Sequence, residues 1–274
     1  MSAKPFRIGV VAPAGRFSPE AAERVVKLAA MRSGRSVEVV IHPQCFLKDG
    51  HFAGPDQARE DALVEVANDP AIDAIWFARG GYGSNRIAEA AIRRLTPAAL
   101  AKPFLGYSDL GFVLAGLARA GAGRAAHGPM CQDVLRDGGE AAVMRALDWL
   151  VQADPAACEP AALAAPSLAF NLTVLSNLLG TPLEPDFSGR VLMIEDLSEH
   201  LYRIDRSLFH ITSSPSVRRA AGLRLGRISD VPENDPPFER SAEEIARHWC
   251  GVSGVPYLGA ADIGHDVANK VVPF

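Results

Sequence analysis

The sequence predicts an α/β protein organised on a parallel sheet, and three observations carry that prediction. Short apolar runs alternate with segments of helical periodicity through the first half of the chain, as in strand–helix units whose sheet is covered on both faces. Glycine- and serine-bearing loops follow several of these runs, where the carboxyl ends of parallel strands gather functional groups. The pattern then becomes less regular, which predicts a second, smaller domain of mixed α and β structure. The expected division is 1–151 for the α/β domain, 152–168 for an alanine- and proline-rich linker, and 169–274 for the C-terminal domain.

Each element has a local reason. Residues 8–12 form a buried-type strand that ends in Pro13-Ala-Gly15, and Ser18-Pro-Glu starts a helix with serine as cap and proline at its first position. Residues 37–41 are a second strand, 55–68 a helix and 74–78 a third strand. The loop Arg79-Gly-Gly-Tyr-Gly-Ser-Asn-Arg86 then leads into another helix. An apolar run ends at Gly106, Ser108 lies at the bend, and Asp109 opens a helix whose Leu110, Val113, Leu114 and Leu117 recur at amphipathic spacing. A short run at 125–129 and a helix near 140–151 complete the first domain. In the second half, 170–179 and 202–211 have helical spacing, and 190–194 and 223–229 read as strands. Residues 241–250 are a capped helix, and 255–259 and 270–274 are the last strands.

Composition narrows the class of function. With 48% hydrophobic and 22% charged residues the chain is an ordinary globular protein. A formal net charge of −4 gives no reason to expect nucleic acid or an anionic membrane as partner. No apolar run approaches the roughly 18 residues of a membrane span. The segment from Met1 to Arg7 has no apolar core of a signal peptide. Cys45, Cys131, Cys158 and Cys250 form no Cys-x-x-Cys, so free, buried thiols and a cytoplasmic location are expected. The histidines show no His-Glu-x-x-His pattern, so no metal site is expected.

Three groups lie just past expected strands. Ser108 on a strand-to-helix bend has the setting of a nucleophile elbow, although Leu110 stands where the usual second glycine would be. The same Gly-x-Ser-Asp also suits a plain helix cap. Glu195-Asp-Leu-Ser-Glu-His200 brings acids to the end of one strand, and Gly259-Ala-Ala-Asp-Ile-Gly-His265 brings a histidine to the end of another. Serine, acid and base are the parts of an acyl-transfer site. Glu195 and Asp196 would point to opposite faces of an extended segment, and the pattern alone leaves the choice of acid open. The glycine loop admits two roles, an anion cradle or a second backbone donor beside Ser108, with Gly81 and Asp109 supplying oxyanion N–H groups. Arg86, one turn beyond it, is the candidate for a substrate carboxylate.

Several motifs in fixed order resemble the LD-carboxypeptidases, the serine peptidase family that trims murein peptides and includes the microcin-immunity hydrolases. They are Val-Val-Ala-Pro-Ala-Gly15, the loop 79–86, Gly106-Tyr-Ser-Asp109, His127-Gly-Pro-Met130, Asn171-Leu, Leu178-Leu-Gly-Thr-Pro182, Ile194-Glu-Asp-Leu-Ser-Glu-His200, Tyr202-Arg-Ile-Asp-Arg206 and Asp262-Ile-Gly-His265. The resemblance spans nearly the whole chain. It implies a Ser108–Glu195–His265 triad, an N-terminal domain like the class I glutamine amidotransferases, a β-rich C-terminal domain, a homodimer and no cofactor. The implied reaction removes the terminal D-alanine of a murein tetrapeptide. An acylated nucleotide antibiotic is the alternative substrate, and a non-catalytic binding homologue the alternative role. Ala169-Phe170 and Gly111 depart from the family pattern, which usually has Gly-Gly and a small residue such as threonine there, and relatives continue beyond the position of Phe274.

Overall fold

The computed structural model describes residues 4–274; the sequence reading for Met1 to Ala3 lies outside them. Strands β1 (Phe6–Val11), β2 (Val37–Ile41), β3 (Ala74–Phe77), β4 (Phe104–Gly106) and β5 (Ala125–His127) are joined by helices. These helices are α1 (Pro19–Met31), α2 (Asp56–Asn68), α3 (Ala88–Arg93), α4 (Pro97–Leu100) and α5 (Gly111–Arg119), with α6 (Gly139–Gln152) following β5. The chain continues through α7 (Pro160–Ala164), β6 (Ser167–Asn171), α8 (Leu172–Leu178), β7 (Val191–Leu197), α9 (Leu201–Ser213), β8 (Gly222–Ser229), α10 (Ala242–Ser253), β9 (Tyr257–Ala260) and β10 (Val272–Pro273).

The first sheet has the order β10-β5-β4-β3-β1-β2, with every pairing parallel except β10 on β5. Direction of travel reverses between β1 and β3, so a crevice opens there at the strand carboxyl ends. Helices α1 and α6 cover one face through Val25, Ala29, Val143 and Leu147. Helices α2, α3 and α5 cover the other, and that core runs without a break into α8, α9 and α10 through Phe170, Val174, Ile204 and Ile245. Each such fully buried Leu, Ile or Phe is worth about 1.5–3 kcal/mol. Apolar burial therefore holds the two sheets together as well as each sheet to its helices. No helix of the described residues is long and apolar enough to cross a membrane. All four cysteines are buried and free.

The second sheet, β6-β7-β8-β9, is parallel throughout, so strand–helix units recur in the smaller domain too. Three sequence expectations need correction. The helix expected from residue 170 begins at Leu172, because Ser167–Asn171 is a buried strand whose last residue caps α8, Asn171 Oδ1 accepting from Val174 N at 3.0 Å. The expected linker is structured: it holds the Pro155–Ala157 turn, α7 and the start of β6. The final strand belongs to the first sheet, where Val272 and Pro273 pair with His127 and Ala126.

Candidate active site

Ser108 follows β4 with φ of 59°, in the left-handed region that a residue bearing a Cβ rarely occupies. Packing holds it there. A Cβ on Gly106 would come within 2.6 Å of the Phe77 ring, so glycine is what lets the turn lie so close to β3. Past the serine, Ser84 N–H donates to Asp109 Oδ2 at 2.8 Å and the Ser84 hydroxyl to the Asp109 carbonyl at 2.5 Å. These bonds tie the start of the Ser108 turn to the glycine loop. On that loop Gly80 lies against the serine, since a Cβ there would be 3.0 Å from both Ser108 Cβ and Oγ. Among the described residues no group accepts a hydrogen bond from Gly81 N–H, and Gly81, Ser108 and Asp109 line one cavity.

His265 sits on the loop between β9 and β10, with Nε2 3.0 Å from Ser108 Oγ. Its Nδ1 hydrogen-bonds Glu195 Oε2, and Glu195 is wholly buried. A carboxylate can only accept, so Nδ1 carries the proton and Nε2 is left to accept from the serine. Burial presses the His265 imidazolium down, but the hydrogen bond and charge of Glu195 outweigh it and raise its pKa above the ordinary histidine value. Burial also raises the Glu195 carboxyl, and its bond to His265 opposes that rise.

The register between β7 and β8 shifts opposite the acid that meets the imidazole. Ile194 pairs with Leu225 and Asp196 with Ile228, so two residues of β8, Gly226 and Arg227, oppose the single Glu195. Asp196 faces away, accepting from Asn171 Nδ2 at 2.7 Å and from Thr173 N and Oγ1 at 3.2 and 3.0 Å. Glu199 reaches the cavity wall and pairs with Arg203 at 2.6 Å.

The loop that carries His265 is braced by residues to which the sequence reading gave no such role. Arg227 bridges Asp262 at 2.6 Å and Asp266, clamping both flanks of the histidine. Arg136 donates to the His265 carbonyl and pairs with Asp133 at 3.0 Å, while the Tyr107 ring packs at a tilt against the imidazole, centroids 4.8 Å apart, and its hydroxyl donates to Asp133 at 2.9 Å. Asn269 Oδ1 accepts from Gly264 N–H and from His127, each at 3.2 Å. His127 is buried, its pKa lowered to about 3, so it stays neutral and braces this loop without touching Ser108. Arg86 stands apart. It holds Asp56 at 2.8 Å over the Phe52 ring and does not line the cavity. The cavity itself is about 670 Å³, and its charged lining is acidic: Glu89, Asp109, Asp196 and Glu199.

Residues 8–128 match the model of the LD-carboxypeptidase N-terminal domain, and residues 166–274 that of the LD-carboxypeptidase C-terminal domain. The chain belongs to the LD-carboxypeptidase family. A Synechocystis sp. relative is 32% identical over 97% of this chain and 88% of its own length. The murein tetrapeptide carboxypeptidase of Pseudomonas aeruginosa is 25% identical over 98% of this chain and 91% of its own length. Among solved structures, the muramoyltetrapeptide carboxypeptidase of Oxalobacter formigenes has a TM-score of 0.78 at 24% identity, covering 97% of this chain and 92% of that one. MccF, solved with glutamyl sulfamoyl guanosine, also reaches 0.78, at 16% identity over 99% and 92% of the two chains. Both share the fold. Family membership supports a carboxypeptidase-type hydrolase.

Proposed function

We propose that this LD-carboxypeptidase homologue is a serine hydrolase that removes the C-terminal D-alanine from murein tetrapeptides through an acyl-enzyme on Ser108. The observation that carries the reading is the hydrogen-bonded chain Ser108–His265–Glu195 opening on a cavity. In the first step His265 Nε2 takes the Ser108 proton as Oγ attacks the amide carbonyl, and the oxyanion accepts from the N–H groups of Gly81 and Asp109. Nε2–H then protonates the leaving D-alanine nitrogen as the C–N bond breaks. A water then gives a proton to His265 Nε2 as its oxygen attacks the ester carbonyl, and Nε2–H returns that proton to Ser108 Oγ as the ester bond breaks and frees the tripeptide. Glu195 keeps the imidazole in the right tautomer and stabilises its cation.

The acidic cavity lining suits the free ammonium of a diamino acid on the acyl side, which supports a murein peptide. The name of the Pseudomonas aeruginosa relative points the same way. The fold likeness to MccF makes an acylated nucleotide the second substrate to assay. We read residues 1–151 and 169–274 as the two functional units around this site, in a cytoplasmic homodimer. Mass spectrometry of a murein tetrapeptide incubated with the protein should show loss of one alanine. Ser108→Ala should abolish that loss and labelling by a fluorophosphonate while circular dichroism stays unchanged; a folded Ser108→Ala protein with near-normal turnover would remove Ser108 from the mechanism.

A further inference from the structure

The chain-end carboxylate of an exopeptidase substrate needs a cation close to the nucleophile, and the main cavity offers none: no Lys or Arg lines it. A second cavity of about 480 Å³ also opens on Ser108 and His265, and its cations are Arg79 and Arg136. Arg136 is already committed to Asp133, the His265 carbonyl and Tyr107. Arg79 is not. Its one hydrogen bond runs from Nη1 to the Arg16 carbonyl at 3.3 Å, and it has no carboxylate partner among the described residues.

Arg79 also borders a third cavity, of about 360 Å³, at the carboxyl ends of β1 and β3. That is the point where strand order reverses, the usual ligand crevice of such sheets. Its basic lining is Arg16, Lys48, His51 and Arg79, with no carboxylate. Arg16 and Lys48 likewise have no carboxylate partner among the described residues, so like charges converge with nothing to offset them until an anion arrives. The crevice adjoins the nucleophile through backbone: Gly15 N–H donates to the Gly80 carbonyl at 3.0 Å, and Gly80 lies against Ser108. The main cavity is therefore lined by acids and the crevice by cations, with Arg79 reaching from the crevice to the cavity that opens on Ser108, where Asp133 is held by Arg136.

We propose that Arg79 binds the carboxylate of the leaving amino acid, with Arg16 and Lys48 supplying the positive field around it. This rests on the hydrolase reading above and names the determinant that would make the hydrolase a carboxypeptidase. A guanidinium presents a planar fork that matches a carboxylate in two parallel bonds, stronger than neutral hydrogen bonds. The leaving group's carboxylate is one carbon from the scissile nitrogen, so its receptor must adjoin Ser108 and His265, as Arg79 does and Arg86 does not.

The test compares kcat/KM for a murein tetrapeptide and its C-terminal amide. The wild type should favour the free acid by about 10²-fold, the scale of a desolvated charge pair. Arg79→Gln should collapse that ratio towards one, Arg79→Lys should restore part of it, and Arg86→Gln should leave it unchanged. A ratio that survives Arg79→Gln in a folded, active protein overturns the assignment while the hydrolase reading stands. A second measurement needs no murein substrate: millimolar D-alanine, but not D-alaninamide, should slow fluorophosphonate labelling of Ser108 in the wild type and lose that protection in Arg79→Gln. Selective protection with no tetrapeptide cleavage would retire the murein reading and keep the anion site. Equal protection by acid and amide would overturn the site.

Discussion

Replacing Glu195 by glutamine should produce two linked changes whose signs follow from the structure. Glu195 is wholly buried and meets His265 Nδ1, so the substitution removes a charge where water cannot compensate for it. The amide can turn its NH2 group to Nδ1, which would put the imidazole proton on Nε2 and aim it at Ser108. The serine then has no base, and the imidazolium formed in the reaction has no counter-charge. Loss of the equivalent charge in a triad costs about 10⁴-fold in kcat, or roughly 5.4 kcal/mol of transition-state stabilisation. The second change concerns pH. In the wild type, His265 must be neutral to act, and Glu195 raises its pKa, so kcat/KM should fall as pH drops through a value above the ordinary one of about 6.5. Without the carboxylate, burial and the Arg136 charge push the imidazolium down against the Asp196 charge alone, and the acid limb of the residual activity should move to lower pH. Profiles of kcat/KM from pH 5 to 9, with a substrate-ionisation control, measure both effects. A folded Glu195→Gln protein with near-wild-type kcat, or with an unmoved acid limb, would refute the reasoning. A dead but folded Asp196→Asn protein would shift the role to that neighbour.

Two further predictions concern close packing at glycines. Gly80→Ala would place a methyl 3.0 Å from Ser108 Oγ, and should lower kcat by about 10²-fold with the far-ultraviolet spectrum unchanged, the scale of a displaced reacting atom; wild-type turnover would show that the loop yields freely. Gly111→Thr should cost about 1–3 kcal/mol in urea unfolding, because its Cβ would meet Val174 Cγ1 at 2.9 Å and the Phe170 ring at 3.3 Å. The penalty should shrink in part, not vanish, when Phe170 is also replaced by alanine, since the Val174 contact remains. Identical penalties in both backgrounds would uncouple the two positions.

That last pair shows how the sequence was legible and where it was not. Gly111 and Phe170 each depart from the family pattern, and they touch: the small residue leaves the space that the ring fills. The strand–helix alternation of the first sheet was readable because each strand is a compact apolar run bounded by a turn or a capped helix start. Residues 167–171 lack such a boundary, because the strand's last residue is also the cap of α8, and strand and helix merge into one apolar segment. The Ser108 bend was visible in Gly106-Tyr-Ser-Asp109. The acid followed only from the family resemblance, since alternation along β7 puts Glu195 and Asp196 on opposite faces and cannot say which face meets the histidine. Arg86 is near Ser108 in sequence, but its charge is taken by Asp56, thirty residues earlier, which no local pattern reveals. That Arg79, in the loop 79–86, has no carboxylate partner among the described residues is likewise a property of the fold that no local pattern reveals.

The arrangement of the three residues places a condition on the whole protein. Ser108 belongs to the first sheet and Glu195 to the second. His265 lies between β9 of the second sheet and β10, which returns to pair with β5 of the first. No single domain contains the hydrogen-bonded chain, so the docking of the two sheets sets the Ser108–His265 and His265–Glu195 contacts at once. The bracing repeats this logic, because Arg136, His127 and Arg145, which donates to the Asn269 carbonyl at 2.9 Å, come from the first sheet's side and Arg227 from the second, yet all hold the same loop. The loop cannot follow one domain without straining bonds to the other. The continuous core from α5 into α8 is therefore part of the site's construction, since a shift there would move Glu195 relative to Ser108 before it unfolded either sheet.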